Sequence, residues 1–299
     1  MNVDLHENRS GDHHLYNEHN STREAITIIN CVLNVPLMLI SILGNALVLA
    51  AIIRTPSIRS TPHMIMLCSL AVSDFLVGLI AQPVYIAHQL ADDRYVKYVW
   101  KVIGPFLCGV SLLTITAITV DRFLALHYHM RYATLVTESR VKCVLIIIWL
   151  ISFLVPFFYF WKISVQVSLI GVFIVICLII STLSYIRIYR IVRRHQLHIN
   201  AHQQAVQSFN AGNNLNITRL QRSALNTFVL YIVLIICYFP FYIVVSVNKN
   251  WKIGWKFSST LVFSNSCINP LLYCWRLREL RAAIVKTAKQ VLCQQTEIN

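Results

Sequence analysis

The sequence predicts an all-α membrane protein: a bundle of seven transmembrane helices followed by a short amphipathic helix. Three observations carry this. Of 299 residues, 57% are hydrophobic and only 13% are charged, whereas soluble domains carry about a quarter charged residues. The apolar residues fall into seven runs, roughly 25–53, 63–90, 98–127, 140–161, 164–190, 220–248 and 253–275. Each run is long enough, at about 20 residues, to cross a hydrocarbon core ~30 Å thick as a helix.

Residues 1–24 are polar and lack a basic-then-apolar leader pattern, so the first run is expected to act as an uncleaved insertion signal. Sequons at Asn8 and Asn20 point to a glycosylated extracellular tail. The seven-span domain covers 25–275. Without a break, the apolar stretch from Val144 to Tyr185 would exceed any bilayer, and Pro156 and Lys162 mark the expected turn between the fourth and fifth runs. With the N-terminus outside, the inner segments hold Arg54, Arg59, Arg131, Arg140, Arg190 and Arg194, as the positive-inside rule requires. The outer segments keep lysines of their own, which softens the contrast. The net charge of +14 is spread over short loops between spans, a distribution suited to lipid headgroups and not to a nucleic-acid surface. The segment 276–299 places Leu277, Leu280, Ile284 and Leu292 among cations, the pattern of an amphipathic helix on the inner membrane surface. Cys293 beyond it is either a lipidation site or an ordinary thiol. The nine cysteines form no disulfide framework and read as small buried apolar residues.

Polar side chains inside a membrane are expensive and point to function. Asp74 lies in the middle of the second run, with Asn45, Ser111, Asn265 and Asn269 at comparable depth in the first, third and seventh. One carboxylate among hydroxyl and amide oxygens suits a hard monovalent cation. A hydrated hydrogen-bond network that only packs the helices suits the same residues. Asp121 and Arg122 stand side by side at the end of the third run. Pro240 and Pro270 each remove a helical hydrogen bond and create candidate hinges. No nucleophile, base and orienting acid are grouped as an enzyme would need, and no internal repeat suggests a transporter.

"GN" at 44–45, "LAVSD" at 70–74, "DRF" at 121–123, Trp149, "CYFP" at 237–240 and "NPLLY" at 269–273 occur in order on successive runs. Together they resemble the rhodopsin-like G-protein-coupled receptors, over about residues 25–290. The piece at 131–140 and the short fourth-to-fifth connection resemble the branch with adenosine, melanocortin and lipid receptors.

The resemblance implies a plasma-membrane receptor that passes an extracellular signal to a heterotrimeric G protein, with arrestin and receptor kinases as further partners and membrane lipids as surroundings. It implies that Asp121 holds Arg122 in the inactive state, and that activation releases Arg122 towards Tyr185 and Tyr273. It also implies that Asp74, Ser111, Asn265 and Asn269 form an allosteric Na⁺ pocket, with no other cofactor. The expected ligand pocket comprises Lys101, Gly104, Cys108, Tyr238, Tyr242 and Lys256.

The chain departs from the family in several places. Lys97 stands where a disulfide cysteine is usual, and the fourth-to-fifth connection is too short for its partner, which is expected to leave the pocket more open. Tyr238 and Leu234 replace the usual tryptophan and phenylalanine of the sixth helix, so a ligand-independent, constitutively active receptor is the alternative reading. By the same resemblance, an amine receptor would need an acid near Gly104, an opsin a lysine near Phe263, and a melanocortin receptor acids at Lys97 and Lys101. The outer rim is basic and aromatic instead, with Lys101, Lys256, Trp100 and Trp255 among its residues. That rim suits either an anionic, lipid-like ligand or simple interfacial anchoring of helix ends.

Overall fold

Each long helix begins where the local chemistry permits. Thr61 is extended (φ −73°, ψ 136°) and Pro62 follows at the first helical position, where its missing N–H is no loss. Asp93 Oδ1 accepts the free amides of Tyr95 (2.6 Å) and Val96 (3.2 Å), and Thr137 Oγ1 accepts the Arg140 amide with Glu138 in the first turn. The resulting helices are α1 (Val3–Arg54), α2 (Pro62–Leu90), α3 (Arg94–Tyr128), α4 (Glu138–Trp161), α5 (Ile163–Ala205), α6 (Tyr231–Ser246), α7 (Lys252–Arg276) and α8 (280–287). A one-turn helix, Tyr132–Leu135, lies between α3 and α4. This computed structural model describes the backbone of residues 3–56, 61–91, 93–128, 131–205, 228–229, 231–246, 251–276 and 280–287. It describes their side chains apart from 3–20, 195–196, 198–205, 230, 252, 273–274 and 276.

Among the described residues, five helices are long and apolar enough to cross a membrane: Ser21–Arg54 of α1, and Pro62–Leu90, Arg94–Tyr128, Glu138–Trp161 and Ile163–Arg194. α6 is apolar but its described part is shorter. α7 has 25 residues, but its serines and its two asparagines dilute the apolar run because they face inward. Large apolar side chains face outward around the bundle, including Leu43 (69% exposed), Ile146 (58%) and Leu154 (59%). A continuous apolar girdle of this kind marks a surface made for lipid.

Both ends of the chain are helical where they are described. α1 runs unbroken from Val3 through residue 25, so no structural break separates the tail from the first span. The glycosylation candidates Asn8 and Asn20 lie among the undescribed side chains, and Cys293 lies outside the described residues. In α8, Leu280, Ala283, Ile284 and Thr287 are buried while Arg281 and Lys286 are exposed. Leu280, Ala283 and Ile284 belong to the bundle core, so the apolar stripe of this helix turns towards the bundle and its cations turn away.

Lys162 alone is extended between α4 and α5 (φ −157°, ψ 120°). It falls just after Pro156, which sits in a 3₁₀ turn, Val155–Phe157. α2 contains a π-turn over Val77–Ala81, closed by the Gln82 amide on Val77 O. Its cause is Pro83, which supplies no N–H and crowds the carbonyl four residues before it. The extra residue turns Gln82 and Tyr85 inward together with Asp74.

α3 is the central helix and touches α2, α4, α5 and α7, while α1 packs against α2 and α7. At the α1–α7 crossing, a Cβ on Gly44 would stand 3.0 Å from Pro270 Cβ, so any side chain there would push α7 back by a few tenths of an ångström. Both candidate hinge prolines lie inside continuous helix, Pro240 in α6 and Pro270 in α7.

Candidate functional site

The interior holds two charged centres at different depths. The deeper is Asp74 on α2, with no exposure. Ser111 Oγ of α3 and Ser266 Oγ of α7 both donate to its Oδ1 at 2.8 Å, and Asn269 Nδ2 donates to Oδ2 at 2.7 Å. Asn265 Nδ2 reaches Ser111 Oγ at 3.4 Å. The helix periods explain the convergence: Asn265 and Asn269 are one turn apart on one face of α7, and Ser266 adjoins them on that face.

Ser266 is a member that the sequence reading missed. Its only sequence signal is its place three residues before Asn269. Asn45 is placed differently from expectation, since it does not touch Asp74. Its Nδ2 donates to Ser41 O (2.9 Å) and Ser266 O (3.1 Å), which ties α1 to the α7 backbone. The reason is position: Ser41, one turn earlier, already holds the α2 backbone through Asp74 O at 2.8 Å. The amide oxygens of Asn45, Asn265 and Asn269 are buried without a hydrogen-bond partner.

The second centre is Asp121 at the far end of α3, 2% exposed. Arg122 donates to Oδ2 through Nη2 (2.5 Å) and Nε (3.1 Å). Tyr132 donates its hydroxyl to Oδ1 at 2.6 Å. Burial, and then that hydrogen bond to a carboxylate, push the Tyr132 phenol above its ordinary range. His63 Nδ1 stands 3.9 Å from Oδ2. Tyr185 is turned away from this centre, stacked on Phe228 (4.9 Å between centroids) and Tyr231 (5.4 Å). The side chain of Tyr273 lies outside the described residues. Trp149 of α4 donates to Ser69 Oγ of α2 at 3.0 Å, an interhelical tie.

The bundle thus carries a buried acid on α2 ringed by three hydroxyl and amide donors, and an acid–arginine pair at the end of α3. The family model for the 7 transmembrane receptors of the rhodopsin family matches residues 44–166 and 156–273. The chain belongs to that family. It is a multi-pass membrane receptor with a seven-helix transmembrane bundle, and α1 to α7 are its spans. The chain is 26% identical to the melanocortin receptor 4 of Danio rerio over 288 residues, 89% of this chain and 84% of that protein. It is 28% identical to the human melanocortin receptor 5 over 277 residues, covering 85% of this chain and 81% of that protein. The histamine H2 receptor of Canis lupus familiaris is 28% identical over 289 residues, 85% of this chain and 77% of its own length.

The receptor has a cavity of about 100 Å³ between α3, α4, α5, α6 and α7. Its walls are apolar, with Gly104, Cys108, Leu112, Ile174, Tyr238 and Phe263 among them. The polar end of Tyr238 is already used, donating to Cys108 O at 3.2 Å. A smaller adjoining space of about 70 Å³ is lined by Lys101, Gln166, Val245 and Trp255, among others. Lys101 Nζ lies over the Trp255 ring, 5.5 Å from its centroid.

Two expected pocket residues lie elsewhere. Lys256 is turned towards α1, where its Nζ donates to Thr27 Oγ1, because its α7 position faces that helix. Tyr242 lines a groove on the outer side of α5 and α6. Trp100 is not an interfacial anchor. It folds over Gly104 and packs on Tyr85 (5.0 Å) and Phe263 (5.7 Å). A Cβ on Gly104 would meet its ring at 2.5 Å. The short α4–α5 connection is not loose either. Gln166, 2% exposed, donates through Nε2 to Lys101 O (2.8 Å) and Pro156 O (3.3 Å). This amide pins α5 to α3 and α4, and among the described residues every cysteine is free.

Proposed function

We propose that this receptor sits in the plasma membrane with its N-terminus outside, and couples an extracellular ligand to a heterotrimeric G protein through the Asp121–Arg122 pair. The observation that carries the reading is the double hold on Asp121, with Arg122 on one oxygen and Tyr132 on the other. A pair drawn partly out of water costs much desolvation and adds little stability, but breaking it frees the guanidinium for new partners, which makes it a good switch. In the active state Arg122 leaves Asp121 for Tyr185 and Tyr273, and Tyr185 has to leave its stack on Phe228 and Tyr231. α6 then moves outward about Pro240 and opens the groove for the G protein. Receptor kinases and arrestin follow as partners of the same face.

The Asp74 cluster fits Na⁺. It offers one carboxylate, two hydroxyls and the orphaned amide oxygens of Asn265 and Asn269, all hard donors. Na⁺ bound here would favour the inactive state by binding it more tightly.

The ligand class that best suits the site is an anionic, lipid-like molecule. The cavity is apolar, and Lys101 stands beside it with no carboxylate within 4.0 Å among the described residues. A ligand-independent receptor is the second reading, favoured by Trp100, which fills the floor beside Gly104 from within the chain. Second-messenger output without ligand, at matched surface expression, tests the switch in wild type, Arg122→Ala and Asp74→Asn. Basal output that Arg122→Ala abolishes supports the switch and the second reading. Basal output that survives Arg122→Ala sinks the switch.

A further inference from the structure

The cavity beside Lys101 abuts a groove that faces the bilayer, with Val167 and Val245 as the wall between them. It shares Phe241 and Ser259 with the deep apolar cavity, and Val167 and Val245 with a third space of about 460 Å³ on the outer side of α5 and α6. Val172 (55% exposed) and Ile176 (46%) line that outer groove, so it faces lipid.

Gly171 lies in the groove wall. A Cβ there would stand 3.9 Å from the Tyr242 ring and 4.0 Å from Val245 Cγ1, ordinary contact distances. No close backbone approach therefore demands glycine, and glycine weakens a helix interior. What the missing side chain supplies is room.

The depth of the groove also matters. Val167 is four residues into α5, about 6 Å from its start, and Ser168 and Ser246 lie in the groove beside it. A headgroup passing here stays near the interface and meets hydroxyls, while its chain remains in hydrocarbon.

We infer that the α5–α6 groove is a lateral port: a single-chain anionic amphiphile enters from the bilayer between Val167 and Val245 and ends with its acid group at Lys101 and its chain in the apolar cavity. This rests on the anionic, lipid-like reading of the ligand. An acyl chain partitions strongly into the bilayer, so a route from the membrane meets far more of it than a route from water.

The test uses full-length receptor in zwitterionic nanodiscs and two brominated acids as probes: membrane-dissolved 9,10-dibromostearate and water-soluble 8-bromooctanoate. Quenching of Trp100 and Trp255 fluorescence reports arrival, with a Trp100→Phe/Trp255→Phe variant as the blank. The expected result is saturable quenching by both acids, weakened about tenfold or more in Lys101→Gln. Gly171→Leu is expected to slow dibromostearate about tenfold or more and leave bromooctanoate unchanged, and Ser246→Phe, in the outer groove alone, repeats the block from α6. Unchanged dibromostearate rates in both variants overturn the port but leave the ligand class standing. Equal slowing of both acids also overturns it. Absence of saturable quenching in the wild type, or indifference to Lys101→Gln, removes the anionic reading and the port with it.

Discussion

Tyr132 holds the Asp121 oxygen that Arg122 leaves free: its hydroxyl donates to Oδ1 at 2.6 Å, while both guanidinium contacts fall on Oδ2. Tyr132 belongs to the one-turn helix after α3 and so couples that connecting segment to the charged pair.

Tyr132→Phe removes one charge-assisted hydrogen bond of about 1.5–3 kcal/mol from the inactive arrangement. Ligand-free second-messenger output should rise severalfold over wild type at equal surface expression. In the Tyr132→Phe/Arg122→Ala double variant, output should fall to the background of untransfected cells. An unchanged single variant would mean that the tyrosine does not restrain the pair.

Na⁺ should raise the thermal midpoint of purified receptor when it replaces choline at constant ionic strength. At ten times the apparent Kd the stabilisation is about 1.4 kcal/mol. Asp74→Asn should abolish the difference between the salts, and Ser266→Ala should reduce it. Equal midpoints in Na⁺ and choline for the wild type would leave the cluster as packing alone.

Gln166→Leu takes a donor from two carbonyls: Pro156 O keeps the Phe158 amide, while Lys101 O, four residues before Pro105, is orphaned. An orphaned buried acceptor costs about 1–3 kcal/mol, so the midpoint should fall by several degrees, about 2–4 °C per kcal/mol. Gln166→Glu, the same size with no amide donor, should fall as well. A thermal shift assay in detergent decides between this and a merely space-filling glutamine.

Gly104→Ala should destabilise the receptor because its methyl meets the Trp100 ring. Trp100→Ala, which removes that ring, should make the alanine at 104 nearly harmless. A double-mutant cycle on thermal midpoints measures the coupling, expected at about 1–3 kcal/mol. Additive effects would place the two residues out of contact.

Much of the fold was legible because membrane spans declare themselves by length and apolarity, and because buried acids are rare enough to notice. Asp74, Ser111 and Asn269 meet as their depths suggested. Depth along a helix can be counted from sequence; direction around it cannot. Lys256 and Tyr242 were assigned to the pocket at the right height, and they face α1 and the outer groove instead. Asn45 has the right depth for Asp74 and spends its amide on backbone carbonyls. The π-turn before Pro83 rotates all that follows it in α2 by one extra residue, and the proline marks a disturbance in the run without giving its form. Ser266, Tyr132 and Gln166 were missed for a simpler reason: a serine, a tyrosine and a glutamine look ordinary until a neighbour from another helix is beside them.

The Gln166 clasp has a consequence for biosynthesis. Receptors tied at this end by a sulfur bridge must mature where thiols are oxidised, with isomerases to correct mispairing. Here a neutral amide secures the α3–α4–α5 junction, and the seven described cysteines sit unpaired in helices. The bundle can therefore close under reducing conditions as soon as its helices meet. Bacterial inner membranes and cell-free extracts held under dithiothreitol should yield properly assembled protein without any oxidative step.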